Sequence, residues 1–584
     1  MGRKAARPAC SRSSQDVRDR PRSLARSAGQ GRSISLHAEK GGRHLWCGTR
    51  AALLLSSRSK IAASPTDDRD GGHWEGSLGG VLVAGALASV MRTAASVCRS
   101  KRVIASTALG LLILQPVLSC SAPQTPAFPD AQGFGAASVG GRGGRVIEVT
   151  NLDDIDRYTG QAVPGSLRAA IEAKGPRIVV FRVSGTINVC ELNKKLEINE
   201  PHITIAGQTA PGDGITLRLD PSCASSAMTI WEHDVVIRHI RFRPGSNPTV
   251  DLGGSDALTI GGVNAHDIII DHCSFSWATD EDVDISWGAR NVTVQYSIIS
   301  EGLKDAPRAA GGPSGGYGML IAEGNPNGFH TGNISIQRNI FADNWYRNPQ
   351  VGIDGLVDYR NNVIYNWGLH GLRIRDVDGP TQMNIVGNYA KAGPSASATT
   401  SLREMWALHT LERPAFSYFV LHNIGPRRPS ASSPELDIVY CREQSLDGVQ
   451  GQDCDPALFA SPAQFPTVPV TTLSPTVTYD HLLANAGATR PKRDPVDQRV
   501  VAEVINGTGT STGISDPAEV GGWPRMSSAP APADRDHDGM PDSWEIQYGM
   551  DPSDRSDGAL DYDHDGYTNV EEFLNSTDPF MEDL

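Results

Sequence analysis

Four segments decide the architecture: HDIIIDHCSF (266–275), NVTVQYSIIS (291–300), NISIQRNIF (333–341) and GLVDYRNNVIY (355–365). Each is a short β-branched run closed by a turn, and all share one register. Setting Ile268, Val292, Ile334 and Val357 as equivalent gives steps of 24, 42 and 23 residues. The pattern continues outward, to Ile203 in HITIAG and Val235 in DVVIRHIRF upstream and to Met383 in TQMNIVGNY downstream, with steps of 32, 33 and 26. The shortest steps define a coil of about two dozen residues, and the longer ones carry Gly/Pro-rich insertions such as 305–318. Turns, not amphipathic helices, separate the strands, which excludes a βαβ sheet and predicts an all-β parallel solenoid whose coils share one core. Asn339, Asn362 and Asn388 each fall five residues after a register point. Stacked coils would bring them into an amide ladder. Ahead of the coils, Ser166 followed by LRAAIEAKG reads as an N-capped helix with Leu167, Ala170 and Ile171 on one face, ending at Gly175-Pro176 and closing the open end of the core.

Composition agrees with this reading. The 584 residues include 61 Gly and 38 Pro with only 6% aromatics, a turn-rich balance unlike that of a helical bundle. The net charge of -13 argues against nucleic-acid binding through the overall field. That charge is unevenly spread: residues 1–90 carry +8 and residues 534–584 carry -14. The basic stretch lacks any sustained period and reads as disordered or as an upstream start. Met91 opens an export signal, with Arg92, Arg99, Lys101 and Arg102 ahead of the apolar run 103–118. Val117-Leu118-Ser119-Cys120 resembles a lipoprotein cleavage box. A lipid on Cys120, ordinary cleavage nearby and a retained anchor are the readings, and each implies a secreted or cell-surface protein. Export permits Cys190 to pair with Cys223 and Cys441 with Cys454, although spacing does not fix the connectivity. Cys273 lies in a continuous apolar strand and reads as an inert buried thiol.

Residues 431–533 are poorer in signal, with Pro, Ser, Ala and Thr concentrated at 459–476 and 526–533, and read as loops and linker packed on the solenoid. Beyond them Asp534, Asp536, Asp538, Met540, Asp542 and Glu545 fit a twelve-residue calcium loop with Gly539 at its sixth position. Asp561, Asp563, Asp565, Tyr567, Asn569 and Glu572 repeat it around Gly566. Alternating acids converge on one cation, the glycine permits the sharp turn, and position seven offers a backbone carbonyl. Trp544, Ile546, Val570, Phe573 and Leu574 give each loop a small apolar helical face. The module resembles EF-hand-like or dockerin-like repeats and is expected to fold with calcium.

A wider likeness spans residues 133–430. GGRGGRVIEVTNLDD (140–154), ITIAGQTAPGDGI (203–215), DVVIRHIRFRPG (234–245), IIIDHCSFSWATDEDVDI (268–285), NWYRNPQV (344–351) and DYRNNVIYNWG (358–368) occur in consistent order. Together they resemble secreted bacterial pectate lyases of polysaccharide lyase family 1. The resemblance implies a right-handed parallel β-helix and calcium-dependent β-elimination of a polyuronate, in practice pectate, by a monomer. Elimination in a 4-linked uronan removes the proton at C5, which is acidic only when the neighbouring carboxylate is neutralised, and a hard cation held by carboxylates does this. Asp256, Asp280 and Asp284 fall on the family's calcium positions, with Glu281 as the alternative ligand. Arg347 matches the family's proton-abstracting arginine. An ordinary guanidinium stays protonated near neutral pH, so this role requires a local depression of its pKa. Asp271 and His272 read as a buried structural pair.

The pattern departs from the family in three places. Gly254 stands where some members have an acid, and Gln350 and Gly352 stand where many have arginines. The family's lysine is also missing; Tyr317 lies near its position, and Lys304 and Arg308 precede it, making these three the substrate-binding candidates. Two rivals therefore stay open: a polyuronate hydrolase on the same solenoid, using an acid/base carboxylate pair, and a noncatalytic carbohydrate-binding or adhesion protein.

Overall fold

The computed structural model describes residues 124–583 except 221–222, 224, 247–254, 306–314, 325–327, 377–378, 397–399, 412, 414, 446–450 and 511–513. The readings made for 1–90, for 91–120 with Cys120, and for Gly254 and Arg308 lie outside the described residues.

The chain winds into a parallel β-helix of three sheets with ten, ten and eight strands. A representative coil runs Leu258–Gly261, His266–Asp271 and Ser274–Ser276, each strand entering a different sheet before Glu281–Ser286 opens the next coil. The register read from sequence is the observed one: Ile203, Val235, Ile268, Val292, Ile334, Val357 and Met383 are successive partners. It extends two coils further upstream, through Arg177 to Arg145, and one further downstream, to Tyr418. These aliphatic rungs are fully buried and form the single long core, each stabilised by roughly 25 cal/mol per Å² of apolar surface removed from water. A helix starts where expected, with the Ser166 side chain accepting from the Ala169 N–H, but it spans only Leu167–Ile171 and stops before Gly175-Pro176. Leu167, Ala170 and Ile171 enter the core.

One corner is turned by residues with positive φ in successive coils, among them His272, Tyr296, Arg338 and Asn361. Such a conformation costs an L-residue about 1–2 kcal/mol. The amide ladder stands one residue further on: Asn362 Oδ1 accepts from the N–H of Asn339, Asn388 Oδ1 from that of Asn362, and Asn423 Oδ1 from that of Asn388. Asn423 adds a rung that the sequence reading lacked. The disulfides are Cys190–Cys223 and Cys441–Cys454, and Cys273 is buried and free.

Two sheets have their outer faces covered. Phe128 and its neighbours pack on Val236 and Ile269, and the C-terminal module packs on Ile178, Val180 and Ala206 of the same sheet. The eight-stranded sheet is covered by two helices, Pro475–Asn485 and Pro495–Asn506, through Leu482 and Val500 against Ile298, Ile340 and Val363. This corrects the reading of 431–533 as loops. Arg243 pairs with Asp494 and Asp497 at the start of the second helix, and Ser274 donates to Asp497 at 2.6 Å. No helix among the described residues is long and apolar enough to cross a membrane. The remaining sheet presents a polar outer face.

Candidate functional site

Strand register assembles that face from single residues of successive coils. Glu197, Thr229, Thr259, Asp284, Leu320, Gln350, Arg373, Trp406 and Tyr440 are hydrogen-bonded neighbours in one row. Acids and hydroxyls occupy the first half, and guanidinium groups and aromatic rings the second.

At the acidic end, Asp256 precedes the strand Leu258–Gly261, and Asp280 precedes Glu281–Ser286. Oxygens of Asp256, Asp280 and Glu281 lie within 4.8 Å of one another. Asp256 is held by Thr259 Oγ1 at 2.7 Å, Ser226 Oγ at 3.3 Å and the Glu281 N–H at 3.2 Å. Asp284 accepts from Ser286 Oγ at 2.8 Å, while its Oδ1 is buried without a hydrogen-bond partner. Burial, and then the charges of Asp284 and Asp280, hold the Asp256 carboxyl well above the ordinary range. Burial likewise raises Asp284, with Asp280 adding to it. Carboxylates that crowd and desolvate one another with an oxygen left over form a donor set that suits a hard cation. Ser226, Trp231 and Trp287 line the same cleft. Asp282, in the strand Glu281–Ser286, turns inward to accept from the Ala278 N–H.

At the basic end, Arg347 adopts a left-handed φ of 63°. Its guanidinium stacks 3.9 Å from the centre of the Tyr317 ring and pairs with Glu281, so it stands at the boundary between the two halves. Burial lowers its pKa to about 10. Tyr317, a candidate substrate contact, is instead buried beneath Arg347 and packed edge-on against Tyr346. Lys304 rests on the Trp345 ring at 3.7 Å. Asp271 lies 2.9 Å from His272 and is fully buried and bonded to Arg238 and Gln295, whereas His272 is half-buried, so only one member of the pair is buried as expected.

The sequence reading missed Arg373, Arg375 and Trp406. Arg373 donates to Gln350 at 3.2 Å, lies 4.8 Å from the Trp406 ring centre, and has its pKa lowered to about 9, first by burial and then by Arg375. Arg373 is the strand partner of Gln350, one coil later. A signal existed: Arg373 follows Gln350 by 23 residues, one of the coil steps already seen.

The two C-terminal loops are copies in hydrogen-bond detail. Asp534 accepts from the N–H groups of His537 and Gly539, and Asp561 from those of His564 and Gly566. Asp538 accepts from Met540 N–H and Asp565 from Tyr567 N–H. Gly539 and Gly566 have φ of 96° and 103°, values that favour glycine. Oxygens of Asp534, Asp536 and Asp538 lie within 4.8 Å. Both oxygens of Glu545, one of Asp538, one of Asp563 and one of Glu572 are buried without partners. Burial and neighbouring carboxylates raise Asp538 to about 8, Glu545 to about 7 and Glu572 to about 8. Asp542 differs: it accepts from the Arg535 N–H at 2.8 Å and faces that guanidinium. Asn569 donates to the Asp557 carbonyl, and its Oδ1 is left over.

No protein-family model matches the chain. It is similar to curated fungal proteins described as probable pectate lyase C. One, from Aspergillus flavus, is 35% identical over 454 residues, covering 78% of this chain and 94% of the relative. Another, from Aspergillus terreus, is 35% identical over 474 residues, covering 81% and 99%. Either match is longer than the stretch 133–430. Among solved structures, pectate lyase C from Erwinia chrysanthemi with calcium is 18% identical, with 63% of this chain and 99% of that chain covered and a TM-score of 0.38. The fold assignment rests on the strand pairing.

Proposed function

The chain belongs to the pectate lyase family, and from that premise we propose that it cleaves 4-linked polygalacturonate by calcium-dependent β-elimination in the cleft of the open sheet. Asp256, Asp280 and Asp284, with Glu281 beside them, would hold the cation; when bound, it neutralises the uronate carboxylate and so acidifies the C5 proton. Arg347 accepts that proton at a guanidinium nitrogen. The C5–H electrons form the C4–C5 double bond as the C4–O bond breaks, and the departing oxygen takes a proton from water. Arg373 and Arg375 bind uronate carboxylates on the basic side, and Trp406 packs against a sugar ring. Lys304, on the Trp345 ring, contributes to binding, and Arg308 is a further candidate on sequence alone.

The observation that carries this reading is the placement of Arg347, half-buried on Tyr317 with its pKa lowered to about 10, beside carboxylates with unpartnered oxygens. The C-terminal loops hold structural calcium through Asp534, Asp536, Asp538, Met540, Asp542 and Glu545, and through Asp561, Asp563, Asp565, Tyr567, Asn569 and Glu572. Unpartnered buried oxygens in both loops support that assignment. Two disulfides support export. A lipid on Cys120 rests on residues 117–120 alone, and the mass of the mature N-terminus decides it.

One assay separates the lyase from its rivals. Purified protein is incubated with polygalacturonate, with calcium or chelator, while ultraviolet absorbance of the unsaturated product and reducing ends are followed. A lyase raises both, a hydrolase raises reducing ends alone, and a binding protein raises neither. Reducing ends without absorbance reject elimination.

A further inference from the structure

The connector between the two C-terminal loops places another carboxylate against the first loop. Asp557 lies outside the twelve-residue spacing, in the single turn Asp557–Ala559. It is 4% exposed, and its Oδ1 has no hydrogen-bond partner. Oxygens of Asp538, Glu545 and Asp557 lie within 4.8 Å of one another, and Asp538 also belongs to the group formed with Asp534 and Asp536. Glu545 is fully buried with both oxygens unpartnered, and Asp538 Oδ2 is unpartnered too. A Cβ on Gly558 would meet Asp538 Oδ2 at 2.4 Å, so only glycine lets the connector approach this closely. Five carboxylates thus converge from three segments, and the nearby Arg182 guanidinium stands 3.6 Å from Asp534. Mutual repulsion in a desolvated pocket opposes such a cluster unless a cation sits among its oxygens.

We propose that Asp557 is a ligand of the cation in the first loop. This rests on the reading of that loop as a calcium site and adds a residue its spacing does not contain. The ion then ties the helix Asp542–Tyr548, through Glu545, to the connector 551–560. This holds Met540, Met550 and Val570 together in the cluster that covers Ile178 and Val180 of the solenoid. Occupancy of the first loop therefore governs how firmly the module sits on the first coils, which gives the site a structural role distinct from catalysis.

The test is a calcium titration by calorimetry on the full chain stripped of metal, comparing wild type with Asp557→Asn, Asp538→Asn and Asp563→Asn. The proposal expects Asp557→Asn and Asp538→Asn to weaken the same binding event, each on the order of tenfold or more, because ligand charge count sets affinity. Asp563→Asn should weaken a different event. If Asp538→Asn weakens binding and Asp557→Asn titrates like wild type, the role of Asp557 is rejected while the loop stands. If Asp538→Asn and Asp563→Asn both titrate like wild type, the loop reading fails and the proposal with it. A second measurement needs no variant: in crystals of the calcium-loaded wild type, an Asp557 oxygen about 2.3–2.6 Å from the ion supports the assignment, and an ion in the first loop without that contact overturns it.

Discussion

The molecule holds acidic residues in two ways. In the cleft, Asp256, Asp280 and Asp284 come from neighbouring coils and share their surroundings with Arg347, whose guanidinium pairs with Glu281. In the C-terminal loops the acids are close in sequence, are fixed by the N–H groups of their own turns, and lean on the solenoid only at their edges, as where Arg182 approaches Asp534. A cation in the loops meets carboxylates that have little else to do. In the cleft it would meet carboxylates set against the half-buried Arg347, the proposed base, with one side open to substrate. On the proposed reading the same ion would serve stability in one region and chemistry in the other, and chelation would strip both.

Substitutions separate the two roles. Arg347→Ala should have the largest effect, lowering kcat about 10²–10⁴-fold, the usual range for losing a positioned acid–base group. Its calcium-dependent thermal stabilisation should stay at the wild-type value; equal activity in the two proteins would remove Arg347 from the chemistry. Asp280→Asn comes next: the calcium concentration for half-maximal elimination should rise on the order of tenfold, with the stabilisation on adding calcium falling by no more than about 1.4 kcal/mol, the linkage cost of one tenfold weaker site. Glu545→Gln should do the reverse. It should remove much of the calcium-dependent stability, about 3 kcal/mol per ion when calcium is 100-fold above its Kd, as read by melting with and without chelator. A calcium requirement for elimination that moved as far as in Asp280→Asn would show that the regions are not independent.

The pH dependences should also differ. With Arg347 at about 10, its neutral fraction, and with it the elimination rate, rises tenfold per pH unit up to that value. The smallest effect belongs to the calcium-free loops. Glu545 is raised from 4.5 to about 7 and Asp538 from 3.8 to about 8. The folded module therefore binds those protons more tightly than the unfolded chain does. Their contribution to stability is full below the ordinary carboxylate range and is lost as pH rises through about 7 to 8. In chelator the melting temperature should fall across that window, and calcium should cancel the slope; a flat profile in chelator would contradict the crowding of these groups.

The contrast between the regions also explains what the sequence disclosed. The coil register was legible because inward positions such as Ile268 and Val292 must stack, and the loops were legible because their acids follow a local spacing. Asn423 escaped because it follows Asn388 by 35 residues, a step lengthened by an insertion. The helices at 475–506 were hidden by a Pro/Ser/Thr-rich approach, although Ser474-Pro475 and Asp494-Pro495 are N-cap and N1 signals, and Asp494 does accept from the Asp497 N–H. Arg373 and Trp406 adjoin Arg347 only through coil stacking, so reading one motif at a time passed over them. Asp557 escaped for the opposite reason, lying twelve residues beyond Glu545 and so outside a spacing that looked complete.

On the proposed mechanism Arg347 removes a C5 proton from a uronate held beside Asp256 and Asp280. The most direct measurement is a crystal structure of Arg347→Ala with calcium and an oligogalacturonate. The expected result is a uronate carboxylate and an ion among Asp256, Asp280 and Asp284, with the C5 hydrogen of that sugar facing the space vacated at position 347. An oligosaccharide bound to another face, with those three side chains pointing away from one another, would contradict the mechanism.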